Sequence, residues 1–200
     1  LVKGGGEDIT RSGGQVKRGD VEGDKHHYAL RKLKEEQLRA EAARLKALQD
    51  KVESELQNNA KFAQFASQIK MDMTRDGLRI QIVDELARPM FDSGSAVVKP
   101  YMRELLRAIG SVLVEVPNRI TLEGHTDAQP FGGGERGYSN WELSSDRANA
   151  SRRELVAGGL TEDRVLRVQG LASSMPFNKE DPLDPQNRRI SLIVMNREAE

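Results

Sequence analysis

Residues 120–127 read Ile-Thr-Leu-Glu-Gly-His-Thr-Asp, and residues 140–148 read Asn-Trp-Glu-Leu-Ser-Ser-Asp-Arg-Ala. In the first stretch apolar and polar residues alternate, which predicts a half-buried strand over 119–127. The second stretch follows Ser139, which forms with Glu142 the Ser-x-x-Glu pattern that typically opens a helix. The two stretches therefore predict a strand–loop–helix unit at the centre of the fold.

Outward from this unit, hydrophobic periodicity predicts three more strands and a second helix. Leu78, Ile80 and Ile82 alternate with polar residues directly after the Asp76-Gly77 turn. In chain order the predicted elements are a strand over 78–82, a helix over 101–116, a strand over 119–127, a helix over 140–157, and strands over 164–170 and 189–195. This β/α/β/α/β/β order predicts an α+β fold, a two-layer domain with a small mixed sheet and helices on one face.

Glycine and proline divide the chain into three regions. Residues 1–24 contain seven of the 18 glycines among charged and polar residues, which predicts a flexible linker. Residues 25–76 contain neither glycine nor proline and are rich in alanine, leucine, lysine and glutamate, which predicts a long amphipathic helical region. All seven prolines lie in residues 77–200, which are therefore expected to form the compact domain.

The helical region is predicted to run from about Tyr28 to Ile69, with a break near Asn58-Asn59. Its apolar residues form one narrow stripe, which consists of Leu38, Ala42, Leu45, Val52, Leu56, Ala60 and Ala63. A heptad repeat that starts at Leu45 fails because it reaches Glu55 and then an asparagine, so a regular coiled coil is not predicted. The helix is expected to dock on the folded domain or on a second subunit, since its stripe is too thin for stability alone.

Composition excludes several classes of protein. The chain has 31 basic and 31 acidic residues, whereas a nucleic-acid-binding protein normally carries a basic excess. It has no cysteine, which removes disulfides, thiolate nucleophiles and cysteine-ligated zinc. No apolar run approaches the roughly 18 residues needed to span a bilayer. Because the sequence begins at Leu1 without a signal-peptide pattern, a preceding segment is expected to have been removed.

Two motifs that would suggest an enzyme are weak. Residues 132–137 match the G-x-G-x-x-G pattern, but residues 129–131 separate them from the predicted strand, and the helix cap follows the last glycine. A flexible loop is therefore favoured over a nucleotide site. His125 and Asp127 could supply two metal ligands, but the other two histidines lie in the helical region, so a structural or hydrogen-bonding His125 is favoured. We predict no enzymatic activity, no metal and no cofactor.

The best candidate site combines charges at a strand end and a helix start. Asp127 ends the predicted strand, and Arg147 lies about two turns into the following helix, so both can flank one cleft. The helix N-terminus adds N–H donors and partial positive charge. Such a site would take a zwitterion, with its carboxylate at Arg147 and its ammonium at Asp127. The alternative is an ordinary surface ion pair between the two residues, worth under about 1 kcal/mol.

Three stretches resemble, in their order and spacing, the signature of OmpA-like peptidoglycan-binding domains. They are the two stretches quoted at the start and Asn187-Arg188-Arg189-Ile190. The resemblance covers about Gly77 to Arg197. It implies a domain that grips the meso-diaminopimelate of the peptidoglycan stem peptide, with Asp127 at its ammonium and Arg147 at its carboxylate. The implied peptidoglycan-binding residues are Thr126, Asp127, Asn140, Leu143, Arg147 and Arg188. About five additional residues before Asn140 distinguish this chain from shorter members and suggest a movable lid.

Residues 90–96, 130–138 and 169–176 resemble more closely the periplasmic part of MotB-type stator proteins of the flagellar motor. This resemblance implies a non-catalytic anchor that holds the stator to the cell wall and so supports flagellar rotation and chemotaxis. It implies that the chain is the periplasmic region of a single-pass bacterial inner-membrane protein. The whole protein would be a homodimer, and it would bind a MotA-type partner through an N-terminal transmembrane segment that this sequence does not include. Regulation is expected through the helical region, over 28–72. The alternative is a generic OmpA/Pal-type cell-wall anchor without a motor.

Overall fold

The computed structural model describes residues 18–132 and 137–200. The chain divides into two compact units, Leu1–Ala40 and Glu41–Glu200. None of the helices in the described ranges is both long and apolar enough to cross a membrane. The elements in chain order are α1 (Arg18–Asn58), α2 (Ala60–Ala63), β1 (Ile69–Thr74), β2 (Gly77–Val83), α3 (Pro100–Leu113), β3 (Ile120–His125), α4 (Asn140–Ala157), β4 (Val165–Gly170) and β5 (Arg189–Met195).

The first unit contains the N-terminal part of α1, and residues 19–40 are all exposed. The helix begins at Arg18, inside the segment predicted as a flexible linker, and it includes Gly19 and Gly23. Each glycine costs a helix about 1 kcal/mol relative to alanine, which a long cooperative helix tolerates. Residues 1–17 of the predicted linker lie outside the described residues.

The second unit is a five-stranded sheet with helices packed against it. The strand order is β1-β2-β5-β3-β4; β3 and β4 are parallel, and all other neighbours are antiparallel. The helix α4 connects β3 to β4 and packs against both, and α3 packs against α4. Apolar side chains of the sheet, α3 and the C-terminal part of α1 form one continuous core. The predicted α+β fold with a small mixed sheet is confirmed.

The predicted order of elements lacks one strand of this sheet. Residues 69–74 are predicted as part of the helical region, but they form β1, which pairs with β2 in an antiparallel hairpin. Ile69, Met71 and Met73 alternate with polar residues, which is the periodicity of a strand. Since residues 25–76 contain neither glycine nor proline, composition alone does not separate this segment from the helix. The observed order is therefore β/β/α/β/α/β/β.

The C-terminal part of α1, residues 41–58, packs on the core of the second unit. Its buried stripe consists of Leu45, Leu48, Val52 and Leu56. Of the predicted stripe, Leu45, Val52 and Leu56 are buried on this domain, whereas Leu38, Ala42, Ala60 and Ala63 are exposed in the single chain. The helix ends at Asn58, where a break was expected, and the side chain of Asn59 caps α2.

Polar contacts also hold this part of α1. Glu41 is only 6% exposed, and its Oε1 accepts hydrogen bonds from Nδ2 of Asn118 (3.2 Å) and from the backbone N–H of Arg197 (3.0 Å). Farther along the helix, Lys51 forms an ion pair with Glu115. The docked segment is therefore attached by both apolar and charged side chains.

Two glycines let α4 lie close to the sheet. A Cβ atom on Gly124 of β3 would overlap the carbonyl oxygen of Ser144, and one on Gly170 of β4 would overlap the side chain of Ser145. Any larger residue would force the helix away from the strands. Because Arg147 lies one turn after Ser144, this close approach fixes its position relative to the end of β3.

Candidate functional site

The first part of the site is the segment that leaves β3. The strand ends at His125, and the next residue, Thr126, donates its backbone N–H to the carbonyl oxygen of Ala172 at 2.9 Å. Oδ1 of Asp127 accepts a hydrogen bond from the backbone N–H of Gln129 at 3.0 Å. Both Thr126 and Asp127 are buried. The Asp127 carboxylate is therefore fixed in place by the turn that follows the strand.

The second part is the start of α4, where the predicted capping box is present. The side chain of Ser139 caps the helix, and the side chain of Glu142 accepts from the backbone N–H of Ser139 at 2.8 Å. Nδ2 of Asn140 donates to the carbonyl oxygen of Gln129 at 2.9 Å, which ties the helix to the segment after Asp127. One turn later, Leu143 is buried.

Arg147 is the buried cation of the site and is 6% exposed. Its Nε donates to the carbonyl oxygen of Ser95 at 2.8 Å, and its Nη2 donates to that of Asp92 at 3.2 Å. The guanidinium lies 4.9 Å from the ring centroid of Phe91. Within residues 18–132 and 137–200, Nη1 has no hydrogen-bond partner and no carboxylate lies within 4.0 Å. Burial lowers the pKa of Arg147, but arginine keeps its charge at neutral pH.

Arg188 connects two carboxylates beside Arg147. Its Nε lies 3.0 Å from Oδ2 of Asp84, and its Nη1 lies 2.8 Å from Oδ2 of Asp127. Burial opposes the charge on Arg188, but the hydrogen bonds to Asp127 and Asp84 outweigh it and raise the pKa of Arg188. Burial raises the pKa of Asp84, although the backbone N–H of Met90, at 2.7 Å from its Oδ1, favours the ionised form.

All six predicted site residues line one cavity of about 610 Å³. Asp84 and Phe91 also line it, and the sequence prediction lacks both. No local pattern marks Asp84, because its partner Arg188 is 104 residues away in the chain. Phe91 belongs to the 90–96 stretch that carries the stator resemblance, and this was the one signal that could have identified it. The residues brought together here are Asp84, Phe91, Thr126, Asp127, Asn140, Leu143, Arg147 and Arg188.

The cavity holds opposite charges at separate places. Asp127 pairs with Arg188, and no ion pair within 4.0 Å joins Asp127 to Arg147 in the described part of the chain. The alternative of an ordinary surface ion pair is therefore wrong, since both side chains are buried and they are not paired. A ligand that carries both charges can place a carboxylate at Nη1 of Arg147 and an ammonium at the remaining lone pairs of Asp127.

Two other motifs have different outcomes. His125 is buried, which agrees with the structural or hydrogen-bonding role favoured from the sequence. Its Nε2 lies 3.6 Å from Oε2 of Glu123, and in the described ranges neither ring nitrogen has a closer polar partner. Of the glycine-rich stretch, residues 133–136 lie outside the described residues, and so does this part of the predicted loop and lid.

Comparisons with known proteins agree with this architecture. The chain is 48% identical to Motility protein B of Escherichia coli K12 over 199 residues, which is all of this chain and 61% of that protein. A MotB-like protein from Desulfovibrio vulgaris has a similar structure, with a TM-score of 0.64, 18% identity and coverage of 80% of this chain and 98% of its own. The cell wall anchor of the T6SS from Pseudomonas aeruginosa matches with a TM-score of 0.55, 25% identity and coverage of 71% and 97%.

The second unit also matches a family model. This model, the OmpA family, covers residues 90–189, which include the end of β3, the start of α4 and the first residue of β5. All the residues that line the cavity fall within this range except Asp84, Leu86 and Pro89. The chain belongs to the OmpA family.

Proposed function

We propose that this chain binds peptidoglycan without catalysis and anchors a flagellar motor stator to the cell wall. The observation that carries the proposal is that Arg147 and Asp127, with opposite charges, line one cavity and are not paired with each other. Membership of the OmpA family and the 48% identity to Motility protein B support it. The chain spans only 61% of that relative, so the anchoring role concerns a larger protein.

In this proposal the ligand is the meso-diaminopimelate of the stem peptide, which presents an ammonium and a carboxylate on the same carbon atom. Nη1 of Arg147 receives the carboxylate, and Asp127, oriented by Arg188 and the Gln129 amide, receives the ammonium. Each charge-assisted hydrogen bond contributes roughly 1.5–3 kcal/mol. Thr126, Asn140 and Leu143 complete the wall of the site.

Co-sedimentation with purified peptidoglycan tests the binding site. We expect Arg147→Ala and Asp127→Asn to remove the chain from the pellet, because each removes one of the two charges that the ligand needs. The matched controls are Arg153→Ala, an exposed arginine on the same helix, and Asp163→Asn, an exposed aspartate after it. Normal co-sedimentation of both site variants, with circular dichroism unchanged, would contradict the proposal.

Competition with small molecules tests the chemistry of the ligand. The stem tripeptide that contains meso-diaminopimelate should release the chain from peptidoglycan, whereas the same tripeptide with lysine in place of diaminopimelate should not, because a lysine within a peptide presents its side-chain ammonium without a carboxylate on the same carbon atom for Arg147. Equal competition by the lysine peptide would show that Arg147 does not bind a carboxylate. This result would contradict the assignment even if the chain binds the cell wall.

The motor assignment is the second part of the proposal. The identity to Motility protein B extends over α1 as well as the OmpA domain, which favours a stator over a generic anchor of the OmpA/Pal type. We infer a homodimeric periplasmic region of an inner-membrane protein with a MotA-type partner. A chimera that supplies the remaining part of the E. coli relative should restore swimming in a strain without that protein. A generic anchor would co-sediment with peptidoglycan but would not restore swimming.

Regulation through α1 is the third part. Residues 41–58 dock on the OmpA domain by four buried apolar side chains, and we propose that this segment rearranges when the stator becomes active. The charged tips of Lys51 and Glu115 meet, and the chain has no cysteine, so Lys51→Cys and Glu115→Cys can be joined specifically. In the chimera, a short cleavable bis-maleimide linker should stop swimming, and cleavage should restore it. Unchanged swimming of the linked protein would contradict regulation by this segment.

A further inference from the structure

The cavity has an apolar part that the charged ligand groups do not use. Leu86, Pro89, Pro130 and Phe131 line it together with the charged residues. Its volume of about 610 Å³ equals that of about twenty water molecules in the liquid, which is more than one diamino acid fills. Pockets of this size ordinarily hold a larger ligand, with polar groups for orientation and apolar walls for contact.

Leu86 is held in an exposed position by a rigid turn. Its side chain is 82% exposed, although the turn over 85–88 is closed by a hydrogen bond from the N–H of Arg88 to the carbonyl oxygen of Glu85 at 3.1 Å. Gln68 is fully buried, and its Nε2 donates to the carbonyl oxygen of Arg88 at 2.9 Å. The side chains of Arg88 and Glu85 form an ion pair at 3.1 Å. A partly buried polar network therefore supports a turn whose leucine is exposed beside the cavity.

Phe131 is also held in place. Its ring contacts Tyr138 edge-to-face at a centroid distance of 5.2 Å, and the hydroxyl of Tyr138 donates to Oδ2 of Asp146 at 2.6 Å. On its other side, Gly94 has a positive φ of 67°, and a Cβ atom there would lie 3.2 Å from Cε2 of Phe131. The ring therefore fills the space that a side chain at Gly94 would occupy. Its position is fixed before any ligand binds.

We propose that Leu86 and Phe131 form a subsite for the methyl group of the alanine that follows diaminopimelate in the stem peptide. The inference rests on the proposed function and names a second recognition element of the same site. The neighbour on the other side of diaminopimelate is a glutamate, whose carboxylate an apolar wall would not favour. The methyl group of alanine gains contact with both side chains and loses no hydrogen bond.

Isothermal titration of the full chain tests this subsite with three ligands: free meso-diaminopimelate, the stem pentapeptide with D-alanine directly after diaminopimelate, and the same pentapeptide with glycine at that position. In both peptides the residue that is compared is in a peptide bond and carries no free carboxylate. We expect the alanine peptide to bind about fourfold more tightly than the glycine peptide, which corresponds to one buried methyl group. Leu86→Ser and Phe131→Ser should remove this preference and leave the affinity for free diaminopimelate unchanged. Leu86→Ile and Phe131→Leu should keep most of the preference for the alanine peptide.

The matched control is Val114→Ser, which removes an exposed aliphatic side chain that does not line the cavity. If Leu86→Ser and Phe131→Ser keep the fourfold preference, the subsite is overturned. If the unmodified chain binds free diaminopimelate but does not distinguish the two peptides, the subsite is overturned and the proposed function stands. If the chain binds none of the three ligands, the proposed function fails, and the subsite fails with it.

Discussion

Arg147 and Arg189 are two buried arginines in one domain, but their surroundings differ. Arg147 is 6% exposed and Arg189 is 8% exposed, and each lies over a phenylalanine ring, Phe91 at 4.9 Å and Phe177 at 5.9 Å. Within residues 18–132 and 137–200, neither guanidinium has a carboxylate within 4.0 Å. The two sites therefore differ in how their N–H donors are used.

Arg189 uses all three of its guanidinium nitrogens within the protein. Nε donates to Oε1 of Gln81 at 2.9 Å, Nη1 to the carbonyl oxygen of Asn187 at 3.1 Å, and Nη2 to that of Met175 at 2.8 Å. Burial lowers the pKa of Arg189 to about 10. Arg147 instead leaves Nη1 without a partner in the described residues, and its side chain lines the cavity. A buried arginine whose three nitrogens all donate within the protein holds structure, and one that lines a cavity with a nitrogen left unbonded can hold a ligand.

The largest expected effect is on stability at Arg189. Arg189→Met should lower the free energy of unfolding by about 2–4 kcal/mol, because Oε1 of Gln81 keeps only its hydrogen bond from Ser191 and the carbonyl oxygens of Asn187 and Met175 lose their donor. Chemical denaturation measures this change, and Arg167→Met, on the exposed face of β4, is the control that should have little effect. A decrease in the free energy of unfolding of less than about 1 kcal/mol would contradict the structural role of Arg189.

At Arg147 the effect should fall on ligand binding. Arg147→Lys keeps the charge but loses the planar set of donors, so the affinity for meso-diaminopimelate should fall about tenfold to thirtyfold. The free energy of unfolding should fall by only about 1–2 kcal/mol, since two carbonyl oxygens lose a donor beside a cavity that admits water. Titration calorimetry and denaturation of the same variant separate the two effects. If Arg147→Lys lost much of its stability and kept normal affinity for meso-diaminopimelate, Arg147 would be a structural residue and the contrast with Arg189 would be contradicted.

A smaller effect concerns the buried His125 near Arg189. Burial lowers the pKa of His125 below its usual value of 6.5, Arg189 and Arg79 act in the same direction, and Glu123 opposes them. Between the lowered pKa and 6.5 the unfolded chain binds more protons than the folded chain, so stability rises with pH in this window and is lost on acidification through it.

The unfolding free energy should therefore decrease below about pH 6.5, with a slope that His125 can raise by at most about 1.4 kcal/mol per pH unit. His125→Gln should remove this contribution. Denaturation curves of this variant and of the unmodified chain at pH values on both sides of about 6.5 measure the difference. Identical slopes for His125→Gln and the unmodified chain would contradict the assignment.

The smallest expected effect is at the ring under Arg189. Phe177 is 39% exposed, so Phe177→Leu should cost less than about 1 kcal/mol of stability and should not change the affinity for diaminopimelate. Phe91 is 6% exposed and lies under Arg147, so Phe91→Leu should weaken ligand binding as well as stability. Equal effects of the two changes on affinity would mean that the rings do not distinguish the two arginines.

Much of the site could be predicted because its central residues lie near one another in the chain. The strand before Asp127 and the capped helix that carries Arg147 both have local patterns, alternation in one and the Ser139 cap in the other. Arg188 was identified only through the family resemblance. Asp84 has no such signal, because its role depends on Arg188, which is 104 residues away in the chain.

The fold shows the same division between local and distant determinants. The helix α4 has the bounds that its cap and final glycines predict, and β5 matches its predicted range. The hairpin strand β1 has a strand pattern of only six residues directly after helical sequence, and its pairing with β2 decides its structure. The buried stripe of α1 likewise depends on which of its turns meet the core, which periodicity alone does not specify.

Arg188 and Arg189 are neighbours in the chain, and the extended backbone there sends their side chains to different partners. Their assignment depends on the alignment of β5 with β2, in which Val83 faces Arg189 and Gly77 faces Met195. A deletion of one residue in the 185–187 turn would shift this alignment by one position and exchange the two guanidiniums. The length of this turn therefore decides which guanidinium reaches the cavity, and the buried Asn187 within it constrains its composition as well, since its side chain bonds to the backbone of Asn178 and Asp181.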